Sequence, residues 1–281
     1  MAREHVEFIQ SQVLDWQSWP HLKGIEYKEL STDKETGATT GLFKFPEGWK
    51  EKQAYWMESE EEFFVVEGDI EINDVHYSEG CFGYLPARYL RRTVRANKDT
   101  TIIRFLDQNP APTYYNYGDP LPEVGKAPVE SLNTYEMVWD KGVLDPKLLH
   151  LDFGRKILRI DPETKSKTFL YMVSPQVRPE SWSGPREHHP TVEESFTLYG
   201  TLAGDRGVMR TGSYFWRPPG IPHGPYGSRT GCVLLIRFVG GAHVNHWSEK
   251  MYPFSFDAPY RPILPKHLRG KGLKEWKPTP F

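Results

Sequence analysis

Short runs of alternating apolar and polar residues recur along the chain, and hardly any keeps the three-to-four residue spacing of an amphipathic helix. EFFVVEGDIEI, DTTIIRFL, SKTFLYMVS, SFTLYGTL and GCVLLIRFV are rich in β-branched or aromatic side chains and lie between turn-forming residues. That pattern predicts many short antiparallel strands. The 24 glycines and 24 prolines punctuate the chain so often that few helical windows survive between them. The predicted class is all-β, a sandwich or a barrel.

The strand pattern occurs twice. EEFFVVEGDI, Glu61 to Ile70, aligns with EESFTLYGTL, Glu193 to Leu202, with identities at Glu61/Glu193, Glu62/Glu194, Phe64/Phe196 and Gly68/Gly200. Gly80/Gly212 and Pro86/Pro218 keep the same spacing of 132 residues. Ile103-Arg104-Phe105 matches Ile236-Arg237-Phe238 if one residue is inserted, and PEGW at Pro46 answers PESW at Pro179. Glycines and prolines at a fixed offset mark the same turns twice, so two homologous β-domains in tandem are predicted. The expected boundaries are an N-terminal arm over 1–23, a first domain over 24–108, a Pro/Tyr-rich connection over 109–149, a second domain over 150–242, and a tail over 243–281 packed on the core.

Composition narrows the partners. Charged residues make up 26% of the 281-residue chain, yet 35 basic and 37 acidic side chains leave a net charge of only −2. No overall field favours nucleic acid or an anionic membrane, so a small molecule becomes the expected partner. The start, MAREHVEFIQ, has no apolar signal core, and no window approaches a bilayer span, which predicts a cytoplasmic protein. The two cysteines, Cys81 and Cys232, are too few for a disulfide framework and are expected as reduced thiols in strands.

The chemistry gathers in the second domain. PREHHPTVEES carries Glu187, His188, His189 and Glu193, and GSYFWRPPGIPHG carries Gly212, Pro218, Gly220 and His223. Along a regular strand Glu187, His189, Thr191 and Glu193 share one face. These two blocks resemble the paired motifs of the cupin superfamily, an HxH pair and a glutamate from one hairpin and a third histidine from a G-x5-P-x-G-x2-H hairpin. The second block fits at every fixed position; the first departs at the HxH pair, where this chain has Arg186-Glu187-His188-His189. One register puts Glu187 and His189 in the two ligand positions, the other Arg186 and His188, and arginine cannot ligate a cation. The resemblance covers both domains and implies a bicupin, two tandem double-stranded β-helix (jelly-roll) barrels.

It also implies a metal site in the second barrel, with His189, Glu193 and His223 as core ligands and either Glu187 or His188 as a fourth ligand or as a partner that orients an imidazole. Such ligands suit one divalent transition metal, Fe(II) above all, with Zn(II), Mn(II) or Ni(II) compatible. His243 and His246, in GGAHVNHW, are read as structural. At the matching positions the first barrel has Tyr55, Met57, Glu61 and Arg91, so no ion is expected there and Arg91 is placed to pair with Glu61. The expected function is a metal-dependent oxygenase, dioxygenase-like, of a small enolisable or aromatic compound. Two alternatives stay open. One is a non-redox lyase, isomerase or cyclase with Glu187 in proton transfer. The other is a sensor or ligand-binding module, since the H-x3-E-E spacing and Gly231-Cys232 also resemble anti-sigma-factor cupin domains. The long proline-rich arms are compatible with a homodimer.

Overall fold

The computed structural model describes residues 3–142, 145–270 and 281. The chain divides into two compact units, Met1–Glu4 with Leu14–Met137 and His5–Val13 with Val138–Phe281. In the first unit seven antiparallel strands run in the order Val129–Asn133, Cys81–Leu85, Glu61–Glu67, Thr100–Leu106, Thr39–Phe45, Glu26–Thr32 and Gln17–Ser18. A smaller sheet joins Lys50–Glu51, Val94–Ala96, Asp69–Ile72 and Val75–Ser78. Phe43, Phe63, Val65, Ile72, Val94 and Ile102 fill the space these strands enclose. The strands are short because glycine, proline and Asn-Asp turns stop them, and the buried residues are β-branched or aromatic because those pack best on a pleated face.

The second unit repeats the design. Its main sheet runs Val6–Gln10, Ser213–Arg217, Val192–Gly204, Cys232–Val239, Lys167–Val173 and Phe153–Ile160, with Gly207–Arg210 paired to the far half of Val192–Gly204. Phe8, Phe169, Phe215, Leu234 and Phe238 form its core. A separate ribbon pairs Ser183–His188 with His246–Pro253. Cys81 and Cys232 are both buried free thiols inside strands, as the sequence predicts.

Two expected segments are placed differently. Residues 1–23 do not form one arm: Val6–Gln10 is an edge strand of the second unit, hydrogen-bonded to Ser213–Arg217. Its buried residues, VEFIQ, are apolar enough to be claimed by a sheet with an open edge. Residues 243–281 are not simply a tail either, since His246–Pro253 supplies the partner of the ribbon that ends at His188; the part of that expectation falling on 271–280 lies outside the described residues. No helix among the described residues is long and apolar enough to cross a membrane.

Strand register settles the repeat. Glu61 lies opposite Leu85 and Leu106, and Glu193 opposite Arg217 and Phe238, so the spacing of 132 holds through these three central strands of each unit. The Ile-Arg-Phe match is therefore out of register by one: Arg104 occupies the place of Ile236, not of Arg237. A slip of one residue turns a side chain to the other face of the sheet, and the two arginines do point to different partners, Arg104 to Glu61 and Arg237 to Glu194.

The repeated glycines have a backbone cause. Gly68 and Gly200 have φ of +91° and +76°, and a Cβ at Gly200 would overlap the carbonyl oxygen of Gly231. Gly200→Ala is expected to cost more than ~1 kcal/mol, since it meets both an unfavourable φ and a clash; thermal unfolding measures it.

Candidate metal centre

Two backbone hydrogen bonds set the site. Glu187 N–H donates to the His223 carbonyl (3.0 Å) and His223 N–H to the Glu187 carbonyl (2.9 Å), which fixes a residue from the ribbon opposite one from the proline-rich loop. His189 follows two positions after Glu187, so both side chains enter the same interior. Gly220 N–H donates to the His189 carbonyl and ties the PPG turn to that segment. In consequence Glu187, His189 and His223 each offer a donor atom within 4.8 Å of the others.

Both imidazoles are oriented from behind. His189 Nδ1 lies 3.0 Å from the Val244 carbonyl and His223 Nδ1 2.9 Å from the Ile221 carbonyl. A carbonyl accepts only, so each Nδ1 carries the proton and each Nε2 presents a lone pair to the interior. His223 Nε2 is buried with no hydrogen-bond partner. A buried polar atom left without a partner is costly and calls for an explanation, and a cation between the three groups supplies one. Burial and then the Glu193 carboxylate push the Glu187 carboxyl up to about 8, so a cation taken up here would displace its proton. Burial, Arg217 and His189 hold the His223 imidazole well below its usual range, in the neutral form that ligates. The donor set, two imidazoles and a carboxylate, therefore fits a divalent transition metal.

Two carboxylates approach the imidazoles and differ in their other partners. Glu193, expected as a core ligand, accepts from Arg217 Nη1 at 2.7 Å through the same Oε2 that stands 3.7 Å from His189 Nε2 and 3.4 Å from His223 Nε2. Its charge is answered by the guanidinium, and Glu187 is the carboxylate that remains without a cationic partner. Arg217 is itself a hub: Nε donates to both oxygens of Glu7 at 2.8 Å, and Nη2 to the Tyr226 hydroxyl at 2.7 Å. Burial opposes its charge, but Glu7, Tyr226 and Glu193 outweigh burial and keep it protonated.

His188 is not brought into the group. Adjacent to Glu187 in an extended strand, it faces the other way and its ring stacks on His246, 5.1 Å between centroids. Arg186 pairs with Asp205 and lies over Tyr252. His243, read from the sequence as structural, does reach the site: its ring is 5.3 Å from that of His189, it stacks on Phe238, and its Nε2 bonds Asn245. Nothing in its sequence spacing marked it, because the segment 240–245 is irregular. Tyr171 was also missed, sitting in an ordinary strand pattern; its hydroxyl is buried without a partner.

Glu187, His189, Glu193, Arg217, Tyr171 and His243 line a pocket of about 550 Å³, open mouth included, whose apolar walls include Leu148, Leu151, Phe169, Met209, Phe215 and Phe238. In the first unit the matching positions hold no ligand set. Arg91 Nη2 donates to Glu61 Oε2 at 2.9 Å, the pairing the sequence predicts, and Arg104 Nε donates to the other oxygen at 2.7 Å, a partner the slipped alignment concealed.

A family model described as a domain of unknown function matches residues 13–245. No curated protein matches the chain. Among solved structures, a candidate dioxygenase from Nostoc punctiforme superposes with a TM-score of 0.75 at 13% identity, covering 90% of this chain and 92% of its own. A cupin 2 conserved barrel domain protein from Leptotrichia buccalis gives 0.52 at 14%, covering 84% and 97%. A variant of Bacillus subtilis oxalate decarboxylase gives 0.51 at 14%, covering 85% and 78%. At such identities the likeness is one of fold, and the fold of both units is the cupin jelly roll.

Proposed function

The chain belongs to the DUF4437 family, a domain of unknown function, and from that starting point we propose that its second unit is a mononuclear metal-dependent enzyme, an oxygenase acting on a small enolisable or aromatic compound. The observation that carries the reading is the convergence of Glu187, His189 and His223, with an orphaned imidazole nitrogen on His223, where Glu187 and His189 line a largely apolar pocket. These three residues would hold the ion, Fe(II) in the first instance, with Zn(II), Mn(II) and Ni(II) as the competing occupants. An ion so held supplies open positions for substrate oxygen atoms or dioxygen.

The protein's own contribution is specific. The apolar walls exclude water and take a flat or aliphatic body. Tyr171, near enough to Glu187 for that carboxylate to help raise its phenol pKa after burial itself, presents an unspent hydroxyl to an acceptor oxygen. Arg217, clamped by Glu7 and Glu193, holds the Glu193 carboxylate in place beside the ligands without joining them. Tyr171→Phe is expected to raise KM roughly tenfold, the worth of one hydrogen bond, and to leave metal content unchanged. Steady-state kinetics and metal analysis of the same sample read both.

A non-redox lyase, isomerase or cyclase would use the same pocket, with Glu187 moving a proton. A sensor or ligand-binding module would use it without turnover. Metal analysis of protein purified without added ions, followed by oxygen uptake with enolisable and phenolic compounds, separates these. Iron with substrate-dependent oxygen consumption supports the oxygenase; tightly held zinc and product formation without oxygen uptake overturns it in favour of the second. A third test fixes the ligand set. Glu187→Gln is expected to lose metal, whereas Glu193→Gln, His188→Ala and Arg91→Ala are expected to retain it. We further propose a cytoplasmic protein whose partner is this small molecule, with no nucleic acid or membrane, compatible with a homodimer.

A further inference from the structure

The interior of the first unit carries an unbalanced charge. Arg91, Arg104 and Glu61 are 2%, 4% and 3% exposed, so two guanidinium groups share one carboxylate away from solvent. Arg91 spends Nη2 on Glu61 and Nη1 on the Tyr89 carbonyl. Arg104 spends Nε on Glu61, and among the described residues its two terminal nitrogens donate to no protein acceptor. No second carboxylate forms an ion pair with either arginine among the described residues. The second unit shows the balanced counterpart, where one arginine, Arg217, is held by two carboxylates, Glu7 and Glu193.

Beside the three groups lies a small cavity, about 300 Å³ with its open mouth included. It is lined otherwise by Tyr55 and by apolar residues such as Phe45, Ile70, Ile72 and Ile102. Apart from that mouth its room is of the order of one water-sized particle. An uncompensated guanidinium against such walls is expensive, and it is resolved by a counter-ion rather than by losing a proton, because arginine keeps its charge.

We propose that this cavity binds a small monovalent anion, of the size of chloride or formate, between Arg91 and Arg104. The excess positive charge excludes a cation, and the size excludes phosphate esters and larger carboxylates. Glu61 holds the two forks apart and sets their orientation, while the free nitrogens of Arg104 supply the donors. The site stands independently of the metal reading for the second unit.

The test compares the full chain in sodium gluconate, too large to enter, with equal ionic strengths of sodium bromide and sodium formate. A saturable rise of the unfolding midpoint of about 3 °C is expected at ~10 times the dissociation constant, in bromide, formate or both, and lost in Arg104→Met. Response to bromide alone identifies a halide site, and a stronger response to formate identifies a carboxylate site. Bromide-soaked crystals of the unaltered protein are expected to show an anomalous peak between Arg91 and Arg104, which decides the matter even if Arg104→Met does not fold. Equal midpoints in all three salts, or bromide found only on the surface, would overturn the proposal and assign the charge to water.

Discussion

Replacing His223 by alanine is expected to strip the second unit of its metal while leaving the fold intact. The side chain contributes an Nε2 that has no protein partner, so its removal deletes one of three donors and breaks no internal hydrogen bond except that from Nδ1 to the Ile221 carbonyl. Loss of a residue that merely orients a ligand costs 10- to 100-fold in affinity; loss of a ligand itself is expected to exceed ~100-fold. The backbone bridge between Glu187 and His223 does not depend on the imidazole, so the thermal midpoint of the metal-free variant should match that of metal-free wild type. Metal content by mass spectrometry and the two midpoints check this together. Full retention of the ion would refute the assignment of the centre.

Glu61→Ala is expected to produce the largest loss of stability, about 3–5 kcal/mol, because it leaves two buried guanidinium groups facing each other. The pH dependence follows from the direction of the shift. Burial alone raises the Glu61 carboxyl, but Arg104 and Arg91 more than reverse this and hold it below its ordinary 4.5. A lowered folded-state pKa means that the contribution is complete above the unfolded value and disappears as the pH falls through the folded one. The difference in unfolding free energy between wild type and Glu61→Ala should therefore be constant near neutrality and shrink only under acid conditions, below about pH 4.5. A difference independent of pH down to full acid unfolding would show that Glu61 is not paired in this way.

The fold was legible because repeated turn glycines and alternating strands are local signals, and the register of both sheets follows them. The site was legible only in part. His189 and His223 stand in the spacing of a metal hairpin pair, and the structure brings them together. That Glu193 and not Glu187 meets Arg217 was not readable, because Arg217 is also held by Glu7, 210 residues away in sequence. His188 fails for a simple reason of alternation, since it is adjacent to Glu187 and so faces the opposite side. Arg104 was hidden by a coincidence of letters: Ile-Arg-Phe occurs in both halves, but one position out of phase, and in a strand one position exchanges interior for exterior. His243 lies in irregular backbone, where spacing carries no directional information.

The edge strand Val6–Gln10 has a consequence for how the protein can be made and divided. Its hydrogen-bonding partner, Ser213–Arg217, emerges from the ribosome some two hundred residues later, so the earlier segment must wait, unclaimed, until that strand exists. A clean excision of the C-terminal half at Val138 would yield a sheet with a bare margin and an arginine deprived of one of its two counter-charges. The halves are thus duplicated in form but interleaved in chain, and a genetic exchange that swapped one for a homologue would carry away the first strand of the other.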